Sequence, residues 1–307
     1  MKKTYILLAV GIIGLILSSG CLSTDKDGNE PQKSNYTNIE NLTNLTVEPT
    51  EKDIKVTNEV DTLKGLKPTA KIQFKVGETY IYHLSNNMAG EGSSDGRYCD
   101  PVEIDIPVYV EKIERIDKND YYVLRSERHE AYPVCYAIEN GRMIKYVVGK
   151  DPGMPPNPYI YGGCVIGINK DNSSDIIALG ENNAMCWEIA QIQEPWMLYL
   201  NESIRFVQSV TVEMDGEKCT ETTETIVIGS EKVGKYDCFK VEVVQRSNCG
   251  SAMINGKKQQ MSTQNKMIYY VDKQKRITIN FEYYVAAQGG YFLLTSLELK
   301  EIKKPYK

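Results

Sequence analysis

The chain has 307 residues, 41% of them hydrophobic, enough to bury one substantial core or two small ones. Its 36 Lys and Arg against 41 Asp and Glu leave a formal charge of −5 with no basic stripe, which argues against nucleic acid as a partner. Two histidines and no Cys-x-x-Cys pair among eight cysteines argue against structural zinc, so neither metal nor cofactor is expected.

Residues 1–20 read as an export signal. Lys2 and Lys3 precede an apolar run from Tyr5 to Leu17, and Ser18-Ser19-Gly20 then leads to Cys21. As a helix the run rises about 20 Å, short of a ~30 Å hydrocarbon core. The small residues leave room for a peptidase ahead of a cysteine that can take a lipid. Two rivals are an uncleaved weak span reaching Leu22 and cleavage without lipidation. A lipid on Cys21 implies a cell-membrane protein facing outside. Loss of Lys2 and Lys3 would move the charge from −5 to −7. The run Leu17-Ser18-Ser19-Gly20-Cys21, with leucine four residues before the cysteine, resembles the looser signals of archaeal surface lipoproteins.

Residues 21–68 are rich in Asn, Thr, Asp, Glu, Lys and Ser and cannot repay the entropy of folding by burial. They are expected to form a disordered tether with a reach of ~35–40 Å. Asn35, Asn41, Asn44, Asn172 and Asn201 each open an N-glycosylation sequon, although an Asn/Thr-rich segment also produces sequons by chance.

From Thr69 to residue 307 the pattern is that of a single β-rich domain. Residues 103–116 alternate up to Val110 and slip to Ile113, which predicts a β-bulge. Residues 203–214, 237–246 and 276–285 also alternate, with Phe206, Val212, Phe239, Val241, Val243, Ile277, Ile279 and Phe281 on their apolar sides. Asp117 to Asp120, Asn140-Gly141, Asp215-Gly216 and Lys273 to Lys275 read as turns. Such strands imply an antiparallel sheet wetted on one side. Around Asn183 to Glu194, Met185, Ile189, Ile192 and Trp196 recur at helical spacing, predicting one amphipathic helix that covers the sheet. The fold class expected is therefore mainly β, of α+β type. The lysine-rich segment Lys300 to Lys307 reads as a solvated terminus.

If Cys21 is acylated, seven thiols remain, and disulfides are the first expectation outside the cytoplasm. Residues 218–228 and 236–246 read as a hairpin, which places Cys219 near Cys249. Cys99–Cys135 and Cys164–Cys186 are the looser pairings, leaving Cys238 free.

Two stretches, Val233 to Glu242 and Tyr269 to Ile277, together with Gly77-Glu78-Thr79-Tyr80, resemble the LolA-type lipoprotein carriers and related envelope proteins. The resemblance implies a strongly bent antiparallel half-barrel, with an apolar cavity between sheet and helix. It carries no catalytic residue.

His83 and His129 are candidate bases, but no Gly-x-Ser-x-Gly elbow occurs, and histidines in strands are usually solvated or hydrogen-bonded. Cys238 reads as a surface thiol or a bridge partner. Glu111/Glu114 and Glu221/Glu224 read as solvated sheet faces, and Gly90-Glu91-Gly92 and Gly162-Gly163 do not form a phosphate cradle. Tyrosine supplies 21 residues, explained by sheet propensity or by a mixed binding surface. The proline-rich loop 149–161 can present Met154, Tyr159 and Tyr161 to a partner, or pack as a rigid connector.

The functional expectation is a non-catalytic, membrane-anchored protein that binds or carries an apolar or amphiphilic ligand beside Met185, Ile189 and Ile192, with Tyr159 and Tyr161 as further contacts. The competing expectation is an envelope interaction protein whose core is filled and whose loops bind a protein. An extracytoplasmic hydrolase is the third.

Overall fold

The structure is a computed structural model. It describes residues 55–87, 98–132, 134–139, 142–147, 159–171, 176–179, 187–214, 217–254, 257–287 and 290–304. In chain order the strands begin with β1 (Lys55–Asp61), β2 (Thr79–Asn86), β3 (Tyr98–Cys99), β4 (Val102–Ile116), β5 (Asn119–Ser126) and β6 (Arg128–Ala131). Then come β7 (Val134–Glu139), β8 (Arg142–Val147), β9 (Tyr159–Gly162), β10 (Val165–Asn169) and β11 (Ile176–Ala178). The longer strands follow: β12 (Arg205–Met214), β13 (Glu217–Val233), β14 (Tyr236–Ile254), β15 (Lys257–Asp272), β16 (Thr278–Ala287) and β17 (Gly290–Lys303).

Twelve of these form one sheet in the order β1-β12-β13-β14-β15-β16-β17-β2-β4-β5-β10-β11, and its pairings are antiparallel. Small sheets β3-β7-β8 and β6-β9 accompany it. Period-two alternation sets the faces. On β14, Phe239, Val241 and Val243 are buried while Arg246 is exposed. The slip after Val110 is a real bulge: Val110 pairs with Leu124, and Lys112 already pairs with Val123. Asp117 and Lys118 both have positive φ (47° and 76°), the backbone of a two-residue hairpin turn.

Two differences from the sequence expectation matter. The tether expected over 21–68 overlaps β1, which pairs with β12 from Lys55↔Glu213 to Asp61↔Gln208. Val56 and Val60 stay exposed on it, so β1 is held by backbone hydrogen bonds, which an argument from burial does not detect.

The α+β class is overturned. Among the described residues the helical segments are one four-residue turn, Trp187–Ala190, and a 3-10 turn, Pro195–Tyr199. Among the described residues no helix covers a face of the sheet, and the LolA-like half-barrel falls with it. The physical reason lies in the backbone of this segment. Thr278 N donates to Ile192 O (2.9 Å) and Thr278 Oγ1 to Gln191 O (2.5 Å), so these carbonyls bond to β16. Pro195 then removes a further amide donor. Apolar spacing that resembled a helix is met by an irregular strap. No helix among the described residues is long and apolar enough to cross a membrane.

Candidate binding surface

The strap 187–200 fills the inner face of the sheet. Ile189, Met197 and Leu200 are wholly buried, and Ile192 and Leu198 nearly so. The indole of Trp196 meets the Tyr269 ring edge-on at 5.1 Å and tilts over Phe206 at 6.2 Å. Polar groups are carried in with it. The Tyr269 hydroxyl donates to Gln191 Oε1, the Tyr82 hydroxyl to Thr278 O (2.8 Å), and Gln193 Nε2 to Glu194 O (3.3 Å). Gln193 Oε1 is buried without a partner among the described residues. Burial pushes the Glu194 carboxyl up to about 7 and holds the Tyr269 phenol well above its usual range.

Thus Ile189 and Ile192, expected to line a ligand cavity, are instead core residues packed against the sheet. Tyr161, expected as a surface contact, is buried in the same core, where Cys164 also lies. Met185, Met154 and Cys186 lie outside the described residues, and Tyr159 is placed only as the first residue of β9.

Beyond Phe206, Thr225, Val243 and Met267 the same face turns polar. Register aligns Gln208 with Thr223, Thr223 with Gln245 and Gln245 with Asn265; the next row aligns Val210, Glu221, Ser247 and Thr263. These side chains are half-buried, and Glu221, Thr223, Gln245, Ser247, Thr263 and Asn265 among them line a cleft of ≈ 20 Å³, room for one water. Glu221 Oε1 is buried there without a partner among the described residues, and burial raises its pKa. A carboxylate among amides and hydroxyls can accept hydrogen bonds from a polar partner. On the opposite face, Glu224 is paired with Arg205 and Arg246, which hold its pKa low. The two acids read as equivalent in the sequence, and register separates them.

The histidines fall apart from each other and from this face. His83 Nδ1 pairs with Asp105 Oδ1 (2.8 Å) on the solvated side of β2, and His129 sits on β6 opposite Tyr161. Neither has a described Ser or Cys in hydrogen-bond reach. Cys238 is wholly buried rather than at the surface, and burial, with Asp272 nearby, pushes its thiol up to about 12. Glu111 pairs with Arg125 and Glu114 with Lys112, as solvated faces do.

Disulfides join Cys99 to Cys135, directly across β3 and β7, and Cys219 to Cys249. Cys164 is also disulfide-bonded. Of the sequons, Asn201 is exposed with its Oδ1 accepting from Ser203 N (3.1 Å); Asn35, Asn41, Asn44 and Asn172 lie outside the described residues, as does Cys21.

No family model and no curated protein matches this chain. It is similar to a solved structure from Bacteroides fragilis NCTC 9343 called a "putative exported protein with YmcC-like fold". The identity is 9%, over 76% of this chain and 99% of that one, with a TM-score of 0.30.

Proposed function

We propose that the protein is a surface lipoprotein that is anchored through Cys21, carries its folded body outside the cell, and binds a partner without catalysis. The signal-like residues 1–20 and the two described disulfides support the location. One observation carries the choice of binding mode: Ile189, Ile192, Trp196 and Met197 occupy the apolar face that an apolar ligand would need. The reading is therefore the interaction protein with a filled core, whose partner meets the loops and the polar continuation of the sheet around Glu221, Gln245 and Asn265. Exposed Asn201 is a glycan acceptor in this reading.

Native mass spectrometry of detergent-free protein tests the filled core, and is expected to show the bare polypeptide. A stoichiometric co-purified lipid other than the anchor would restore the carrier. Intact mass tests the anchor, with loss of residues 1–20 and an acyl increment on Cys21 expected. Retention of Lys2 and Lys3 would remove it.

A further inference from the structure

Residues 62–77, between β1 and β2, contain four lysines and no acidic residue. They cross one end of the large sheet. Thr62 N bonds Val207 O (3.1 Å), Thr69 N bonds Leu198 O (2.8 Å) and Gly77 N bonds Val110 O (2.8 Å). Ile72 and Phe74 point into the core, where Phe74 stacks edge-on against Tyr80 and Tyr122 at 5.7 Å. Their neighbours Lys71, Gln73 and Lys75 therefore point out. Lys64, Lys67, Lys71 and Lys75 are exposed and make no ion pair among the described residues.

Other basic residues far away in sequence are brought to this end. Lys303 pairs in register with Thr79, so the C-terminal Lys303 and Lys304 lie beside the start of β2. The β15–β16 turn brings Lys273, Lys275 and Arg276 to the same end, but Lys273 Nζ is paired with Glu202 Oε1 (2.6 Å), Lys303 Nζ with Glu301 Oε2 (3.9 Å), and Arg276 is buried, so the charge argument rests on the lysines of segment 62–77. Lys273 N bonds Asp237 O (2.9 Å), next to the Gly234–Lys235 turn, and Lys275 Nζ bonds Glu78 Oε2 (3.1 Å). Two exposed apolar residues sit among the lysines of the segment: Leu66 is 47% exposed between Lys64 and Lys67, and Val76 is 44% exposed beside Lys75.

We infer that this lysine-rich end, centred on Lys64, Leu66, Lys67, Lys71, Lys75 and Val76, docks on an anionic lipid bilayer. Lysines are attracted to lipid phosphates, and the apolar residues between them enter the headgroup boundary. A soluble acidic polymer would neutralise the lysines but bury neither Leu66 nor Val76, so the exposed apolar pair favours a membrane. The inference extends the anchored reading above: the acyl chain delivers the body to a bilayer, and this end orients it there.

The test uses the mature chain from residue 21 carrying Cys21→Ser, so that no acyl chain contributes. Its partition onto vesicles of phosphatidylcholine is compared with that onto equal parts phosphatidylcholine and phosphatidylglycerol. Binding is expected only to the anionic vesicles and weakens with added salt. At about fivefold per lysine, Lys67→Glu/Lys71→Glu should lower partition about twenty-five-fold or more. Arg142→Glu/Lys145→Glu, with the same net charge change on the separate β3-β7-β8 sheet, should leave it unchanged. On anionic vesicles, amine labelling of Lys64, Lys67, Lys71 and Lys75 should slow relative to Lys145. Equal loss in both variants, no preference for anionic vesicles, or binding to heparin without binding to vesicles would each overturn the inference. Intact mass of the wild-type product decides the acyl anchor separately, so either idea can fail alone.

Discussion

Glu194 gives a direct test of how the strap 187–200 lies against the sheet. Its carboxyl is pushed from 4.5 to about 7 by burial alone, with no cationic partner among the described residues. The replacement Glu194→Gln keeps shape and polarity and removes the charge. A shift of this size corresponds to roughly 3 kcal/mol, and because the residue is only half-buried the expected range is about 1–3 kcal/mol. The folded pKa is raised, so the acid form is favoured in the folded state. Below the unfolded value of 4.5 both states are protonated, and the electrostatic effect vanishes. As pH rises from 4.5 to about 7 the unfolded chain ionises first, and wild-type stability falls. Above that the full cost applies. Thermal melts of both proteins at about pH 4 and about pH 8 should therefore coincide at the acid end. At the alkaline end the variant should lead by several degrees, at about 2–4 °C per kcal/mol for a domain of this size. A difference that does not change with pH would refute the burial of this carboxyl and the strap position that causes it.

Three further outcomes are expected. Trp196→Ala removes the ring packed on Tyr269 and Phe206 and should destabilise the protein by roughly 3–5 kcal/mol in urea titration; a loss below ~1 kcal/mol would contradict the filled inner face. Cys219→Ser/Cys249→Ser opens a loop with a sequence separation of 30 and should cost roughly 3–4 kcal/mol, read as a lowered midpoint without a change in the partner disulfide on mass mapping. Cys238, with its thiol raised to about 12, should resist iodoacetamide at neutral pH in the folded protein and react only after denaturation. Rapid native alkylation would show that the thiol reaches solvent.

The sheet was legible because alternation is a local property. Phe239, Val241 and Val243 declare their buried face by alternating with Lys240 and Glu242, and the slip after Val110 declares its bulge. Cys219–Cys249 followed from the same logic, since a hairpin converts sequence distance into register. The helix over 183–194 misled for a physical reason. Positions separated by three, four and seven residues can share a face in an irregular strap when its carbonyls bond to another strand, as Gln191 and Ile192 do to Thr278. Thr278 and Arg276, which alternate with the apolar Ile277 and Ile279, are nevertheless buried, because the strap covers Thr278 and Arg276 lies over the Phe239 ring.

The amino-acid order alone determined the period-two strands, the turns at Asp117-Lys118 and Lys273 to Lys275, and the pairing of Cys219 with Cys249, because each depends on residues close in the chain or on simple chemistry. Tertiary structure decided what fills the inner face, which of Glu221 and Glu224 stays unpaired, and the gathering of lysines at one end. In sequence Lys64 to Lys75, Lys273 and Lys303 are scattered through an acidic protein. Antiparallel strands that turn back on each other place them together, since every second strand end returns to the same edge.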